Sequence, residues 1–173
     1  MQLLPRRLAF RSLPTPAPAR LAVWGLLVLT YAIGTLSSHA QAPGDFKVEA
    51  FCGSYAPWGQ NQRLTIAPSG SVSYYESDLS VPGGDSLFVS ISPAELEAIY
   101  DTVLAVSFFG LNNVYDSGAV DGSGIVLRIT ASGSTHSVEA RNIAVSQLNR
   151  VVTTINTILA PDNIALNYGA LNP

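Results

Sequence analysis

The chain has 173 residues, with nine basic and twelve acidic side chains and a formal net charge of −3. The first 42 residues form a predicted leader that contains four of the arginines. The remaining 131 residues carry five basic and twelve acidic side chains, which gives a net charge of −7. That length suits one domain with one core. A domain with this negative charge is not expected to bind nucleic acid or an anionic membrane surface.

The segment 1–42 is typical of an export signal. Arginines precede an apolar run over 21–36, and the Ala-Gln-Ala sequence at 40–42 matches a cleavage site. The run is shorter than the ~20 apolar residues that a membrane span needs, which favours cleavage after Ala42, with Ala40 as the alternative. An uncleaved membrane anchor stays open. The sequence predicts a periplasmic or extracellular protein with no membrane attachment after cleavage.

Strand patterns begin directly after the leader. Apolar and polar residues alternate over 46–52, which predicts a half-buried strand and places Cys52 in the core rather than as a reactive thiol. Hairpin turns are predicted at 67–70 and 132–133. Because one cysteine cannot form an internal disulfide, packing alone must hold the domain together.

The clearest helix signal begins at Ser92. Ser92 and Glu95 have the spacing of a capping box, and Pro93 occupies the first helical position, where its missing N–H costs nothing. An apolar stripe begins at Leu96 and leads through an aromatic pair to Gly110. The pattern therefore predicts a helix that ends at this glycine.

A second apolar stripe predicts a helix over 144–159. Both helices need an apolar surface, and the tight hairpin turns permit only antiparallel neighbours. We therefore expect an α+β fold, an antiparallel sheet with two helices packed on one face, in a single domain over 43–161 followed by a tail over 162–173. The hairpins at 64–76 and 127–139 share several residues at matching places, which leaves open either a doubled hairpin–helix unit or convergence.

The same order of motifs resembles small exported bacterial domains, most of them without an assigned function. The shared motifs are Ser92-Pro93-Ala94-Glu95-Leu96, Phe108-Phe109, Asp121-Gly122 and His136-Ser137-Val138. More distantly the chain is similar to emfourin-type inhibitors of thermolysin-like metalloproteases. The resemblance covers about 46–159, departs from the inhibitors at 57–62 and 78–86, and implies no functional residue in this chain.

Residues that carry chemistry are sparse. After the leader His136 is the only histidine, and a plain surface position on a strand is expected for it, since no strained nucleophile turn accompanies it. One histidine and one cysteine do not supply a zinc site. Asp116 and Asp121 lie in a glycine-rich loop that does not match a calcium-binding loop, because Val120 stands where an oxygen ligand is needed. No catalytic residue, metal site or cofactor is therefore predicted.

Aromatic residues remain the best candidates for function. Tyr55, Trp58, Tyr74 and Tyr75 cluster around the first hairpin and form the candidate interface. Tyr74 and Tyr75 must point to opposite faces of the sheet, and Trp58 could equally close the end of the core. The sequence thus predicts an exported, non-enzymatic domain that binds a protein or a cell-envelope component, inhibition of a protease being one such role. The alternative is a small secreted hydrolase that uses carboxylates or His136.

Overall fold

The computed structural model describes residues 40–54, 60–78, 83–119 and 122–168. The predicted leader lies outside the described residues, except for 40–42. Tyr55 and Trp58 also lie outside them. In the described ranges, no helix combines the length and apolar character that crossing a membrane requires.

Seven strands form one sheet. They are β1 (Lys47–Ser54), β2 (Gln60–Ile66), β3 (Ser71–Asp78), β4 (Asp85–Ser90), β5 (Val114–Asp116), β6 (Ser123–Ala131) and β7 (Ser134–Arg141). Their order across the sheet is β4-β3-β2-β1-β6-β7-β5. Every neighbouring pair is antiparallel except β5 and β7, which are parallel. The central strand is thus β1, with β2 on one side and β6 on the other.

Both helices pack on the same face of this sheet. They are α1 (Pro93–Ala105) and α2 (Ser146–Leu159), and short 3-10 turns follow them at Phe108–Gly110 and Ala160–Asp162. Their buried side chains join one apolar cluster with one face of the strands. The helices also touch each other, with the hydroxyl oxygens of Thr102 and Thr154 3.2 Å apart. The predicted α+β fold with two helices on one face is confirmed.

Alternation along the strands selects the face that the helices cover. On β1, Val48, Ala50 and Cys52 are buried, and their cross-strand neighbours on β2 and β6 are buried with them. Cys52 is only 3% exposed, as its place in the strand pattern predicts. The core contains no disulfide and consists of tightly packed apolar side chains from every layer.

The start of α1 follows the sequence signal closely. The Glu95 N–H donates to Ser92 Oγ at 3.3 Å, and the Ser92 N–H donates to Glu95 Oε2 at 2.7 Å. These two bonds complete the predicted capping box. The N–H of Ser92 and its hydroxyl hold the pKa of Glu95 below its ordinary value.

The end of α1 differs from the prediction, because the helix stops at Ala105 instead of reaching Gly110. Ser107 adopts a left-handed conformation with φ 53°, and Phe108 begins a separate 3-10 turn. In a continued helix Phe108 would point about 140° away from the buried Val103. The break turns the Phe108 ring into the core, where it is fully buried.

A second difference is β5, which the sequence pattern did not reveal. It is three residues long and lies in the glycine-rich segment, so it offers no periodic signal. The Glu139 N–H donates to Asn113 O at 2.8 Å and Tyr115 packs against the core, which together hold β5 beside β7. The sheet is therefore mixed rather than wholly antiparallel.

The predicted C-terminal tail packs on the domain as far as it is described, to residue 168. Ile164 and Leu166 are buried. The Asn156 side chain accepts the Leu166 N–H at 2.8 Å and donates to Leu166 O at 3.0 Å. Gln62, itself buried, accepts the Asn167 N–H at 2.7 Å and donates to Ala165 O at 3.0 Å. This segment is therefore part of the core.

Two substitutions at α1 compare what core packing and helix capping contribute to the free energy of unfolding, namely Ile99→Ala and Ser92→Ala. Ile99 is fully buried, so emptying its site should lower the free energy of unfolding by about 2–5 kcal/mol. Losing the exposed cap at Ser92 should cost only about 1 kcal/mol. Denaturant melts of both variants measure the two losses, and a larger loss for Ser92→Ala would contradict this account of α1.

Stability should fall in acid partly through Asp45. Its carboxylate accepts the N–H groups of Ser132 and Gly133 at 2.8 and 2.6 Å, and these bonds, that of Gly133 above all, hold the pKa of Asp45 below its ordinary value. A depressed folded-state pKa contributes stability above the unfolded pKa, about 4, which is lost as the pH falls through the folded value. Asp45→Asn should therefore lose less stability than the wild type between pH 5 and pH 2.5. Equal losses in thermal melts would contradict this role.

Candidate binding surface

The face of the sheet opposite the helices carries two central rows of side chains that run across the strands. Directly opposed residues on neighbouring strands point to the same face, so the strand register defines each row. The first row is Ser86, Tyr75, Arg63, Phe51, Val126 and Glu139. The second row is Phe88, Ser73, Thr65, Glu49, Arg128 and Ser137. None of these side chains is buried, and we call this surface the open face.

Two aromatic rings of the first row lie over glycines of the same face. A Cβ atom added to Gly53 would come within 2.9 Å of the Phe51 ring, and one added to Gly84 would come within 2.5 Å of the Tyr75 ring. The Phe51 and Tyr75 side chains are each 37% exposed. The guanidinium carbon of Arg63 lies 5.7 Å from the centre of the Phe51 ring, a cation–π distance. The glycines thus allow the rings to cover the sheet while still contacting solvent.

A shallow groove of about 290 Å³ lies between the two rows. The side chains that line it from this face are Glu49, Phe51, Arg63, Thr65, Val126 and Arg128. Small-molecule sites usually have volumes of about 300–1,000 Å³ and enclose most of the ligand. A groove at the lower limit of that range, on a solvent-exposed sheet, suits a protruding side chain of a macromolecule better than an enclosed substrate.

Basic residues are concentrated on the open face. Of the five basic residues that follow the predicted leader, four lie there, namely Lys47, Arg63, Arg128 and Arg141. Two of them pair with acids of the same strand. Lys47 Nζ lies 2.9 Å from Glu49 Oε1, and Arg141 Nε lies 2.6 Å from Glu139 Oε1.

Arg63 and Arg128 are different, because neither forms a salt bridge within the described ranges. They lie two strands apart, about 9–10 Å across the sheet, on either side of β1. An acidic protein therefore presents two guanidinium groups that form no salt bridge with a carboxylate of the described chain, although Glu49 lies across from Arg128 on β1. Arg63 lies directly across from Phe51 in the first row, and Arg128 lies across from Glu49 in the second row.

Of the four aromatics of the predicted interface, the structure describes Tyr74 and Tyr75 and places them on different faces. Tyr75 lies on the open face, whereas Tyr74 lies on the core face and is only 5% exposed, so the prediction of opposite faces is confirmed. The Tyr74 hydroxyl accepts from Gln62 Nε2 at 2.9 Å and donates to Glu76 Oε2 at 3.0 Å. Burial and the Glu76 carboxylate raise its pKa. Tyr74 therefore serves the core and presents no surface to a partner. Tyr55 and Trp58 are outside the described residues.

Sequence reasoning missed three residues of this surface, Phe51, Arg63 and Arg128. The alternation of β1 already indicated that Phe51 and the buried Cys52 point to opposite faces of the sheet, which was the available signal for an outward aromatic ring. Nothing in the local sequence brings Arg63 and Arg128 together, because they are 65 positions apart and share a surface only through β1.

His136 is not the plain surface residue that the sequence suggested. It lies on the core face of β7, half-buried, with its ring centre 5.6 Å from that of Phe108 and 6.4 Å from that of Phe109. Its Nε2 lies 3.0 Å from Leu111 O, and since a carbonyl only accepts, this nitrogen carries the proton. The left-handed break after α1 creates these contacts, which no local pattern predicted.

The other titratable candidates have structural roles. Asp116 Oδ1 accepts the Gly118 N–H at 2.8 Å, which makes a local turn, and Asp121 is outside the described residues. Burial raises the pKa of the Cys52 thiol to about 12, so it stays protonated at neutral pH. Within the described ranges, no three histidine, cysteine or carboxylate side chains gather as metal ligands would.

No protein-family model matches this chain, and no curated protein matches it. The resemblance to small exported bacterial domains and to emfourin-type inhibitors therefore stays a prediction that rests on the motifs alone.

The new contacts of His136 predict a structural role. His136→Ala should lower the free energy of unfolding by about 1–3 kcal/mol, because it removes an aromatic contact and leaves Leu111 O without its donor. His136→Phe keeps a ring against Phe108 and should recover part of that loss. Thermal melts of both variants measure the effect, and an unchanged melting temperature for His136→Ala would contradict this role.

Proposed function

We propose that this protein is an exported, non-enzymatic domain that binds a protein or a cell-envelope component through its open face. The observation that carries the proposal is the arrangement of Arg63 over the exposed Phe51 ring, with Arg128 on the other side of the groove. Arginine and aromatic side chains are the residue types that dominate the energy of protein interfaces. Here they occur together on a rigid sheet, which orders them before a partner binds.

The charge of the groove indicates the chemistry of the partner. Arg63 and Arg128 have no carboxylate partner in the described part of the chain, so an acidic group of the partner could pair with either without displacing an existing ion pair. The Phe51 ring, which lines the same groove, offers an apolar contact. We therefore expect a partner that places a carboxylate or another anionic group beside an apolar one.

The two other functions suggested by the sequence receive less support. A hydrolase built on His136 would need a nucleophile or a carboxylate beside its ring, but its contacts in the described structure are with Phe108, Phe109 and Leu111. Inhibition of a metalloprotease rests on the motif resemblance alone. It can be tested directly by assaying a thermolysin-like protease in the presence of the purified protein.

The test of the open face uses immobilised protein to capture partners from an envelope extract and from spent medium. The Arg63→Ala/Arg128→Ala variant should retain at least about tenfold less of any specific partner, since truncating one interface arginine often costs 2 kcal/mol or more. Thermal melts should change little, because both side chains are exposed. Trp58→Ala extends the test to the predicted loop aromatic.

Arg150→Ala is the matched control. Arg150 is an exposed arginine of α2, away from the open face, so its removal changes the net charge without touching the groove. Its captured material should match that of the wild type. Equal losses in the control and in either single variant, Arg63→Ala or Arg128→Ala, each of which also removes one charge, would attribute capture to net charge. Full retention by the double variant would contradict the proposal.

A further inference from the structure

The two edges of the sheet are protected to very different degrees. At one edge, β5 has only three residues and ends on Asp116, whose carboxylate lies 3.9 Å from Arg141. A short, charged edge resists pairing with another strand. At the other edge, β4 has six residues, and no strand in the described part of the chain pairs with its outer side. From 86 to 90 it carries no charge.

The backbone groups of β4 alternate between β3 and the free edge. The Ile91 N–H donates to Gly70 O at 2.9 Å, so at this position the chain bonds inward. Because bonding direction alternates along an antiparallel strand, the N–H and C=O groups of Ser86, Phe88 and Ser90 point outward. These three residues form the row of donors and acceptors available to another strand.

The sequence of the free edge is symmetric about Phe88. It has serine at both ends, an aliphatic residue on either side, and phenylalanine at the centre, over Ser86-Leu87-Phe88-Val89-Ser90. Phe88 is 80% exposed, the largest value among the large apolar side chains of the described residues. An exposed apolar residue at the centre of an uncharged stretch of an edge strand is typical of a strand that pairs with another chain.

We infer that β4 pairs antiparallel with β4 of a second copy of this protein, about a two-fold axis through Phe88. Ser86 then lies opposite Ser90, Leu87 opposite Val89, and Phe88 opposite its own equivalent. Each outward-pointing residue is in a hydrogen-bonded pair, which makes about six bonds between the copies. Opposed residues share a face, so the two Phe88 rings meet on the open-face side.

A second copy fits this edge for three reasons. The symmetric pattern places serine opposite serine, an aliphatic residue opposite an aliphatic residue, and Phe88 opposite its own equivalent. The edge is therefore self-complementary, as a two-fold interface requires. Asp85 falls outside the five paired residues, so no like charges are opposed. The protected edge at β5 prevents further addition, so pairing stops at a dimer with one continuous sheet and two open faces on the same side.

The dimer should be weak and concentration-dependent. One pair of short strands buries less than the roughly 1,200–2,000 Å² of a stable interface. The net charge of each copy also opposes association, most strongly at low salt. Two open faces side by side would nevertheless raise the avidity for a repetitive or dimeric partner.

Sedimentation of protein expressed from the full sequence, over a range of concentrations, tests the inference. The wild type should show a monomer–dimer equilibrium. Phe88→Lys should weaken it by roughly tenfold or more, because it places two like charges in contact across the axis. Val114→Lys introduces a lysine at an exposed valine of β5, the opposite edge strand, and should leave the monomer–dimer equilibrium unchanged. A wild-type protein that stays monomeric, or association that survives Phe88→Lys, overturns the inference.

Introduced cysteines test the register. Hydrogen-bonded antiparallel pairs have Cα atoms about 5.5 Å apart, within the range of disulfides, so Phe88→Cys should form a covalent dimer under mild oxidation. Ser86→Cys and Ser90→Cys should not link to themselves, but an equal mixture of the two should link. The native Cys52 is buried and does not compete. Self-linking of Ser86→Cys as fast as that of Phe88→Cys would overturn the proposed register.

Discussion

The burial of one sheet face beneath both helices is the interaction on which the rest of this structure depends. The central strand β1 contributes Val48, Ala50 and Cys52 to that face, and α1 and α2 cover it with the stripes that contain Ile99 and Ile155. No disulfide or described metal site adds to this burial. The period-2 pattern of the strands and the 3.6-residue pattern of the helices must therefore agree across the whole core. Where they conflict, at the end of α1, the helix breaks so that Phe108 can be buried.

A polar network closes the core where apolar packing ends. Gln62 occupies a position that the strand pattern would assign to an apolar residue, and it is the one polar side chain that is buried in the described chain. Its amide joins Tyr74 on β3 to Ala165 and Asn167 of the C-terminal segment. Buried polar groups are costly without partners, so each of these bonds supports the others. The network fixes the C-terminal segment against the sheet.

The same division of the sheet explains why the candidate functions lie where they do. The helices cover the apolar face, so the strands can present side chains to a partner only on the opposite face and at the edges. The open face gathers residues from β2, β1 and β6 into one groove, while β4 leaves its outer backbone groups unpaired by any described strand. The proposed binding at the groove and the proposed pairing at β4 would use different parts of the sheet.

The sequence by itself determined the fold class and most of the local elements, with β5 and the end of α1 as the exceptions. The capping box at Ser92, the place of Cys52 in a buried strand and the opposite orientations of Tyr74 and Tyr75 follow from short-range chemistry, and the structure contains all three. These features depend on residues a few positions apart. The periods of strands and helices therefore suffice to predict them.

Only the tertiary structure decided which distant residues meet. The partners of His136, the parallel pairing of β5 and the shared groove of Arg63 and Arg128 all depend on contacts between segments far apart in the chain. A strand pattern indicates which side chains share a face of one strand, but not which strand lies beside it. Strand order arises from the packing of the whole core, and the open face could be recognised only once that order was known.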